Sequence, residues 1–266
     1  MATIAISMIG HNEAALLPQA LGNLGWADEV IYVDCESSDD SLQVARRYTD
    51  KVFSRPNTTQ LNINKSYGFS QASADWIFYL DPDEVIPDAL AAEIRAVIAA
   101  DPPQNAFWLP RRNYFFGHWL RHGGQYPDRQ LRLFRRGRAH FPCRHVHEVL
   151  QVEGATGRLR EAMEHHTVTS VPAALAKMDF YSTFNAQQMA RAGLEPTVGL
   201  ALRLMAFKPA SRFLRRFVFK GGFLDGWPGF IAAAISSIDF QFRFLKLWHW
   251  SRHRDALPAP PGEAAR

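Results

Sequence analysis

Apolar runs alternate with segments of helical periodicity through the first hundred residues, and this alternation constrains the fold more than any other feature. A strand that is followed by a helix and then by another strand implies a parallel βαβ unit. We therefore predict an α/β fold, with a mostly parallel sheet flanked by helices. The alternation predicts strands at residues 3–9, 29–34, 51–54 and 76–80, and helices at residues 12–24, 38–48, 62–73 and 87–100.

Carboxylates follow two of the predicted strands. Asp34 ends the run VIYVD, and Asp81, Asp83 and Glu84 come directly after WIFYL. Ligands of open parallel sheets bind beyond the carboxyl ends of the strands, so these side chains are expected at one edge. An Asp-x-Asp pair there can bind a divalent cation, which in turn neutralises a diphosphate. The alternative is a solvated turn that caps the helix beginning near Pro87.

Basic residues are concentrated in two stretches of a chain whose net charge is only +4. Residues 111–138 contain eight arginines and one acid, Asp128, and residues 203–254 contain ten Lys and Arg against two acids. Such stretches suit an anionic partner, whether phosphate, nucleic acid or an acidic membrane surface. The alternative for each stretch is a solvated basic face. No nucleic-acid-binding motif accompanies the charge, so we expect no nucleic acid partner.

The cysteine count points to a reducing compartment. Cys35 and Cys143 cannot form a disulfide framework. The run HFPCRHVH places His140, His145 and His147 near Cys143, but its spacing matches no standard zinc finger, so zinc is not expected.

The N-terminal residues lack a basic region followed by a long apolar one, and no stretch reaches ~18 uninterrupted apolar residues. We therefore expect neither a secretory signal nor a membrane-spanning helix. The expected location of the protein is the cytoplasm.

Longer stretches carry a family resemblance. ISMIGHNEAALLPQALGNLGWADEVIYVDCESSDDSLQVARRY and WIFYLDPDE resemble the N-terminal half of inverting family 2 glycosyltransferases, which have the GT-A fold. RRNYFFGHWLRHGGQYPDRQLRLFRRGRAHFPCRHVHEVL and FKGGFLDGWPGFIAAAISS resemble the WaaE-type lipopolysaccharide core β-1,4-glucosyltransferases. The similarity covers residues 3–250.

The resemblance implies roles for individual residues around a nucleotide-sugar donor. Asp81 and Asp83 match the family's metal-binding pair, for Mg²⁺ or Mn²⁺, and Glu84 completes that motif. Glu36 replaces a small residue of the subfamily, so donor specificity can differ. The residues expected to bind the donor are Asn12, Glu13, Asp34, Ser37, Asp39, Lys65, Asp81 and Asp83.

An inverting reaction needs a carboxylate that takes the proton from the acceptor hydroxyl. Asp128 and Glu148 both follow the Asp-x-Asp pair, and Glu148 is slightly favoured because His147 could orient it or position the diphosphate. The alternatives are an ion pair of Asp128 with Arg129 or Arg132, and a strand-end carboxylate without a catalytic role for Glu148. Arg129, Arg132 and His147 are expected to bind phosphates or the acceptor.

The C-terminal third interleaves aromatics with cations and predicts a helical, aromatic and basic extension. It resembles an interfacial helix that contacts an anionic membrane, and the alternative is a helix packed on the catalytic domain. The apolar and basic residues concerned are Arg212, Phe213, Leu214, Arg215, Arg216, Phe217, Phe219, Lys220 and Phe223. The domains expected are a catalytic one at residues 1–170 (donor half 1–100, acceptor half 101–170), the extension at 171–256 and an unstructured tail at 257–266.

The function that the resemblance implies is transfer of a hexose, glucose, from a UDP-sugar to a lipopolysaccharide inner core or a similar anionic glycolipid. The expected location is the inner face of a bacterial inner membrane, with peripheral attachment. One alternative is the same fold acting on another acceptor: a polyprenyl-phosphate sugar, a capsule precursor or a peptide. Another is a non-catalytic module that binds sugar nucleotides.

Overall fold

A computed structural model describes residues 1–58, 60–143 and 148–253. Contacts divide the chain into two compact units, each assembled from separate stretches. Unit 1 joins residues 1–111 to residues 128–165, and unit 2 joins residues 112–127 to the chain from His166 onward.

The four predicted strands of the first hundred residues are present as β1 (Ile4–Gly10), β2 (Glu29–Asp34), β3 (Lys51–Ser54) and β4 (Trp76–Leu80). They lie in the order β3-β2-β1-β4, and every pair among them is parallel. Gly10 is in register with Asp34, and Met8 with Leu80, so the three central strands end at the same edge.

The helices between these strands are α1 (Leu17–Leu21), α2 (Ser41–Ala45), α3 (Leu61–Ser70) and α4 (Asp88–Ala99). The helix predicted at residues 12–24 is therefore much shorter than expected. Its first residues form a loop, because the backbone N–H groups of Asn12, Glu13 and Ala14 donate to side chains of the loop after β2.

Later strands complete the sheet, largely by antiparallel pairing. These strands are β5 (Glu84–Val85), β6 (Ala106–Phe115), β7 (His118–Trp119), β8 (Asp128–Arg135), β9 (Ala139–His140), β10 (Gln151–Val152), β11 (Thr156–Arg158) and β12 (Met163–Val168). β8 lies between β4 and β6 and is antiparallel to both, and the full order is β3-β2-β1-β4-β8-β6-β12-β5, with β7 and β11 beside β6. β9 and β10 form a separate pair.

The core of unit 1 has two layers, one on each face of the sheet. Alternate residues of β4 point to opposite faces, so Trp76 and Phe78 join one buried cluster while Ile77 and Tyr79 join the other. Phe69 of α3 packs in the second layer. A sheet covered on both faces explains why the strands read as continuous apolar runs.

Unit 2 is mainly helical. Its helices are α5 (Val171–Arg191), α6 (Val198–Leu202), α7 (Lys208–Phe213) and α8 (Gly226–Arg252), with α5 packed along α8. Two π-helical segments, Arg203–Phe207 and Leu214–Phe219, flank α7. The α/β class and the helical C-terminal region are thus confirmed. No helix among the described residues is long and apolar enough to cross a membrane.

Candidate active site

The loops that follow β1 and β2 are joined by a hydrogen-bond network. The backbone N–H of Asn12 donates to Ser37 Oγ (2.9 Å), that of Glu13 to Ser41 Oγ (2.7 Å) and that of Ala14 to Asp39 Oδ2 (3.1 Å). Asn12 has a positive φ of 58°, in the left-handed region that Asn adopts more readily than most other non-glycine residues. The structure therefore brings together four of the predicted donor residues at the ends of β1 and β2.

Gly10, the last residue of β1, leaves room for the hydroxyl group of Tyr32. A Cβ at this position would lie 2.5 Å from the hydroxyl oxygen of Tyr32, so a larger residue would displace that side chain.

Asp34 is a buried carboxylate at the end of β2, with 4% of its surface exposed. Its Oδ2 accepts the backbone N–H of Ser37 at 3.1 Å. No hydrogen-bond partner of Oδ1 exists among the residues that the structure describes. A buried acceptor without a partner costs stability, and a donor group on a ligand would offset that cost.

Negative charge accumulates where the loops after β1, β2 and β4 meet. Burial, followed by the charges of Asp83 and Asp39, raises the pKa of Glu13 to about 7. The repulsion among these carboxylates is the kind that a bound cation relieves.

Asp81, the first carboxylate after β4, is bound by two cations. Lys65 Nζ lies 2.8 Å from its Oδ1, and Arg132 Nη2 lies 2.8 Å from its Oδ2. Burial acts to raise the pKa of Asp81, but the charges of Lys65 and Arg132 overcome this effect and hold the pKa well below its usual range. Lys65 is thus placed beside the first carboxylate of the Asp-x-Asp pair, and its contact with the donor diphosphate stays a prediction.

Glu84 has no exposed surface and accepts hydrogen bonds from two arginines. Its Oε1 lies 2.6 Å from Arg132 Nη2 and 3.0 Å from Arg111 Nη1. Arg111 also binds Asp128, at 2.6 Å. A row of alternating charges therefore runs from Asp81 to Asp128. A fully solvated turn, the alternative interpretation of the carboxylates after β4, is wrong for Glu84.

Two residues of this site, Arg111 and His165, were not among the predicted ones. Arg111 lies within the basic stretch that the sequence assigns to an anionic partner, but its position opposite Asp128 follows from the register of β6 and β8, which local sequence does not specify. His165 Nε2 lies 3.1 Å from Asp83 Oδ2. It reaches the site because β12 pairs antiparallel with β5, a long-range pairing that local sequence does not specify.

The predicted catalytic and acceptor residues lie in different surroundings. Asp128 is part of the charge row, and its side chain is 31% exposed. Glu148 is half-buried, and Arg129 is exposed. Arg132 is buried, so direct contact with an acceptor would require its guanidinium to leave two carboxylates. His147 lies outside the described residues, as does His145.

The carboxylates fit a cation that is shared with a ligand. No group of three or more Asp, Glu, His or Cys side chains in the described part of the chain is arranged to hold a metal ion alone. Mg²⁺ is usually held by one or two carboxylates together with phosphate oxygens of a substrate. Asp83, close to Glu13, is placed to supply such a ligand.

Comparison with known proteins identifies relatives over nearly the whole chain. Residues 6–166 match the family described as "Glycosyl transferase family 2". The chain is 27% identical over 256 residues to "Lipopolysaccharide core biosynthesis glycosyltransferase LpsC" of Rhizobium meliloti, a match that covers 94% of this chain and 92% of the relative. It is 28% identical over 265 residues to an uncharacterized glycosyltransferase of Rickettsia felis, covering 93% of this chain and 89% of that relative.

Among solved structures, the chain is similar to the mannosyltransferase PcManGT from Pyrobaculum calidifontis, determined in complex with GDP-Man and Mn²⁺. The TM-score is 0.49 at 14% identity, and the match covers 94% of this chain and 87% of that one. The family match confirms the resemblance found in the sequence, and the sheet described above is the GT-A type that the resemblance implied.

Proposed function

The chain belongs to glycosyl transferase family 2, and on that premise we propose that it transfers glucose, with inversion, from UDP-glucose to a lipopolysaccharide inner core or a similar lipid-linked glycan. The observation that carries this proposal is the placement of Asp34, Glu13 and Asp83 at one edge of the sheet, where the central strands end together. The relative named as a lipopolysaccharide core glycosyltransferase supports the choice of acceptor.

The donor site follows from the loops at that edge. Asp34 Oδ1 would accept a hydrogen bond from the nucleotide base, and the loop containing Asn12 and Ser37 would contact the ribose. A divalent cation held by Asp83, with Asp81 nearby, would neutralise charge that develops on the leaving diphosphate. Lys65 would add a second positive charge at the same place.

The proton of the acceptor hydroxyl would be taken by a carboxylate on the second half of the sheet. Glu148 remains our choice, with Asp128 as the alternative. Arg111 binds Asp128 through both Nε and Nη2, at 3.0 Å and 2.6 Å, and such charge-assisted bonds stabilise the ionised carboxylate and weaken it as a base. The acceptor would be anionic, bound through Arg129 and other arginines, at the inner face of the bacterial inner membrane.

The donor is tested by heating the protein with a panel of nucleotide sugars and Mg²⁺ or Mn²⁺. A ligand that binds only the folded protein stabilises it, by ~2.7 kcal/mol when it is present at about 100 times its Kd. We expect the largest rise in Tm with UDP-glucose plus a cation, and a smaller rise for Asp83→Ala or with excess chelator. If Asp83→Ala and excess chelator both leave the rise in Tm unchanged, the donor site does not depend on a metal. If no nucleotide sugar raises the Tm, the proposed glycosyltransferase activity is contradicted.

The base is tested by two isosteric variants. Glu148→Gln should keep the donor-induced rise in Tm but lower kcat by a factor of ~100 to 10,000, the usual contribution of general base catalysis. If Asp128→Asn has that effect instead, the assignment moves to Asp128. If both variants keep full activity, the mechanism proposed here is incorrect.

A further inference from the structure

Unit 2 exposes four large apolar side chains within residues 218–227, a segment that we call the apolar turn. It contains the end of the second π-helical segment, a 3-10 helix at Gly222–Asp225 and the start of α8. Phe219 is 82% exposed, Trp227 75%, Leu224 62% and Phe223 52%. Large apolar groups that lie together on a surface usually mark a site of interaction with a protein or a membrane.

The apolar turn is held in place by packing and hydrogen bonds within unit 2. Asp225, at its centre, is buried and accepts hydrogen bonds from the backbone N–H of His122 (2.8 Å) and from that of Arg121 (3.2 Å). Gly222 and Gly229 pack so closely that a Cβ on Gly229 would lie 2.0 Å from the Gly222 carbonyl oxygen. The aromatic side chains are therefore presented to solvent by an ordered support.

A second group of aromatic residues packs against one another next to the apolar turn in sequence. These residues differ from the exposed ones because their rings are in contact. Phe213 and Phe217 each contact Phe230 edge-on, with ring centroids 5.5 Å and 5.6 Å apart. Both are half-buried, although the sequence predicted them on the membrane-facing side of an interfacial helix. Of the aromatic residues predicted to face a membrane, Phe219 and Phe223 are the exposed ones, and Leu224 and Trp227 join them.

The stretch of chain that contains the apolar turn is strongly basic. In residues 198–227 the only acid is Asp225. Its carboxylate is buried and accepts a hydrogen bond from the backbone N–H of His122, so it does not offset the positive charge at the surface. Of the cations nearest in sequence, Lys220 and Arg215 are exposed, whereas Arg216 is half-buried. The basic residues of this stretch are Arg203, Lys208, Arg212, Arg215, Arg216 and Lys220.

We infer that the apolar turn inserts into the headgroup region of an anionic lipid bilayer, with the surrounding cations on lipid phosphates. Apolar burial and attraction to anionic lipid act together in such interfacial contacts. A second copy of this chain fits less well, because a two-fold interface would bring two sets of like charges together. The inference extends the proposed function, since a lipid-linked acceptor lies at a membrane surface.

The test is sedimentation with vesicles of phosphatidylcholine alone or of phosphatidylcholine mixed with phosphatidylglycerol. We expect binding to the mixed vesicles at low salt and partial release at high salt, because salt screens the charges over ~8 Å at physiological ionic strength. Phe219→Ser combined with Trp227→Ser should lower the partition coefficient by roughly ten-fold or more, since each side chain loses its apolar burial. The matched control is Phe180→Ser, which removes an aromatic side chain of unit 2 that is 66% exposed and lies outside the apolar turn. This variant should bind the mixed vesicles as strongly as the unchanged protein does.

Three outcomes would overturn the inference: no binding to the mixed vesicles, equal binding to both vesicle types, or equal loss in the Phe180→Ser control. A fourth contradicting outcome would come from light scattering. If the unchanged protein is a dimer and the double variant is a monomer, the apolar turn binds a second copy of the chain instead of a membrane. The donor-induced rise in Tm, measured on the same samples, tests the proposed glycosyltransferase separately, because it needs no membrane. Retention of that rise in the double variant also shows that the variant is folded.

Discussion

Glu84 is the anion that two arginines of the site share. Arg132 and Arg111 donate to the same oxygen, Oε1, and each also binds a carboxylate that the sequence marks as functional, Asp81 or Asp128. Glu84 itself has no contact with solvent. Its role is therefore to position cations, and through them the two carboxylates.

Replacing Glu84 by Gln should destabilise the protein strongly. Removal of one partner from a buried ion pair typically costs ~3–5 kcal/mol, because the remaining charge is left without compensation. We expect that loss in urea unfolding. The control is Asp101→Asn, which removes the 82% exposed partner of Arg135 and should cost less than about 1 kcal/mol. Similar losses in the two variants would show that Glu84 is not the centre of the charge row.

The raised pKa of Glu13 predicts a specific pH dependence of stability. The folded protein keeps the Glu13 proton up to about pH 7, whereas the unfolded chain loses it near pH 4.5. The contribution of Glu13 to stability is therefore complete below about pH 4.5 and is lost as the pH rises through about 7. Glu13→Gln should have a higher Tm than the unchanged protein at pH 8 in the presence of chelator, and a similar Tm at pH 4.5. Glu153→Gln, at a side chain that is 65% exposed, is the control.

At the scale of elements, sequence periodicity identified the strands and helices of the first hundred residues but not all their limits. The strand β4 was predicted to the residue, because its five apolar residues meet Asp81 at once. The helix α1 was predicted too long, because the backbone of Asn12 and Glu13 is bound by side chains more than twenty residues away. Long-range contacts of this kind, like those that bring Arg111 and His165 to the site, leave no local periodicity.

The N-terminus of α5 offers a test of local structure. Ser170 Oγ accepts the backbone N–H of Ala173 at 3.3 Å and so caps the helix. Ser170→Ala should cost ~1 kcal/mol, whereas Ser170→Asp, which keeps an acceptor, should retain most of the stability. The measurement is urea unfolding followed by circular dichroism. Equal losses in the two variants would show that the hydroxyl contributes through something other than the cap.

At the scale of the whole molecule, the chain passes between the two units three times, after Arg111, Pro127 and His165. Residues 112–127 belong to unit 2, where Leu120 packs in an apolar cluster with Ala174 and Ala232. The predicted boundary at residue 170 therefore separates residues that pack together. Whether it marks the limit of the catalytic function stays a prediction.

A fragment ending at residue 170 should not fold as an independent domain. It would expose Phe115 and Leu120, which are 7% and 2% exposed in the full chain, because α5 and α8 are missing. We expect aggregation and binding of an apolar dye, both reduced when residues 171–253 are co-expressed. A soluble fragment with a cooperative unfolding transition would contradict this expectation.

The same path of the chain has a consequence during synthesis on the ribosome. β4 is complete at Leu80, but the strand that covers its open edge, β8, begins only at Asp128, after residues 112–127 have emerged. Between those two moments the nascent chain carries an apolar strand with an open edge, a template for pairing with other chains. We therefore expect chaperones to bind the nascent chain during that interval, whereas in the finished molecule β4 is paired on both sides, with β1 and β8.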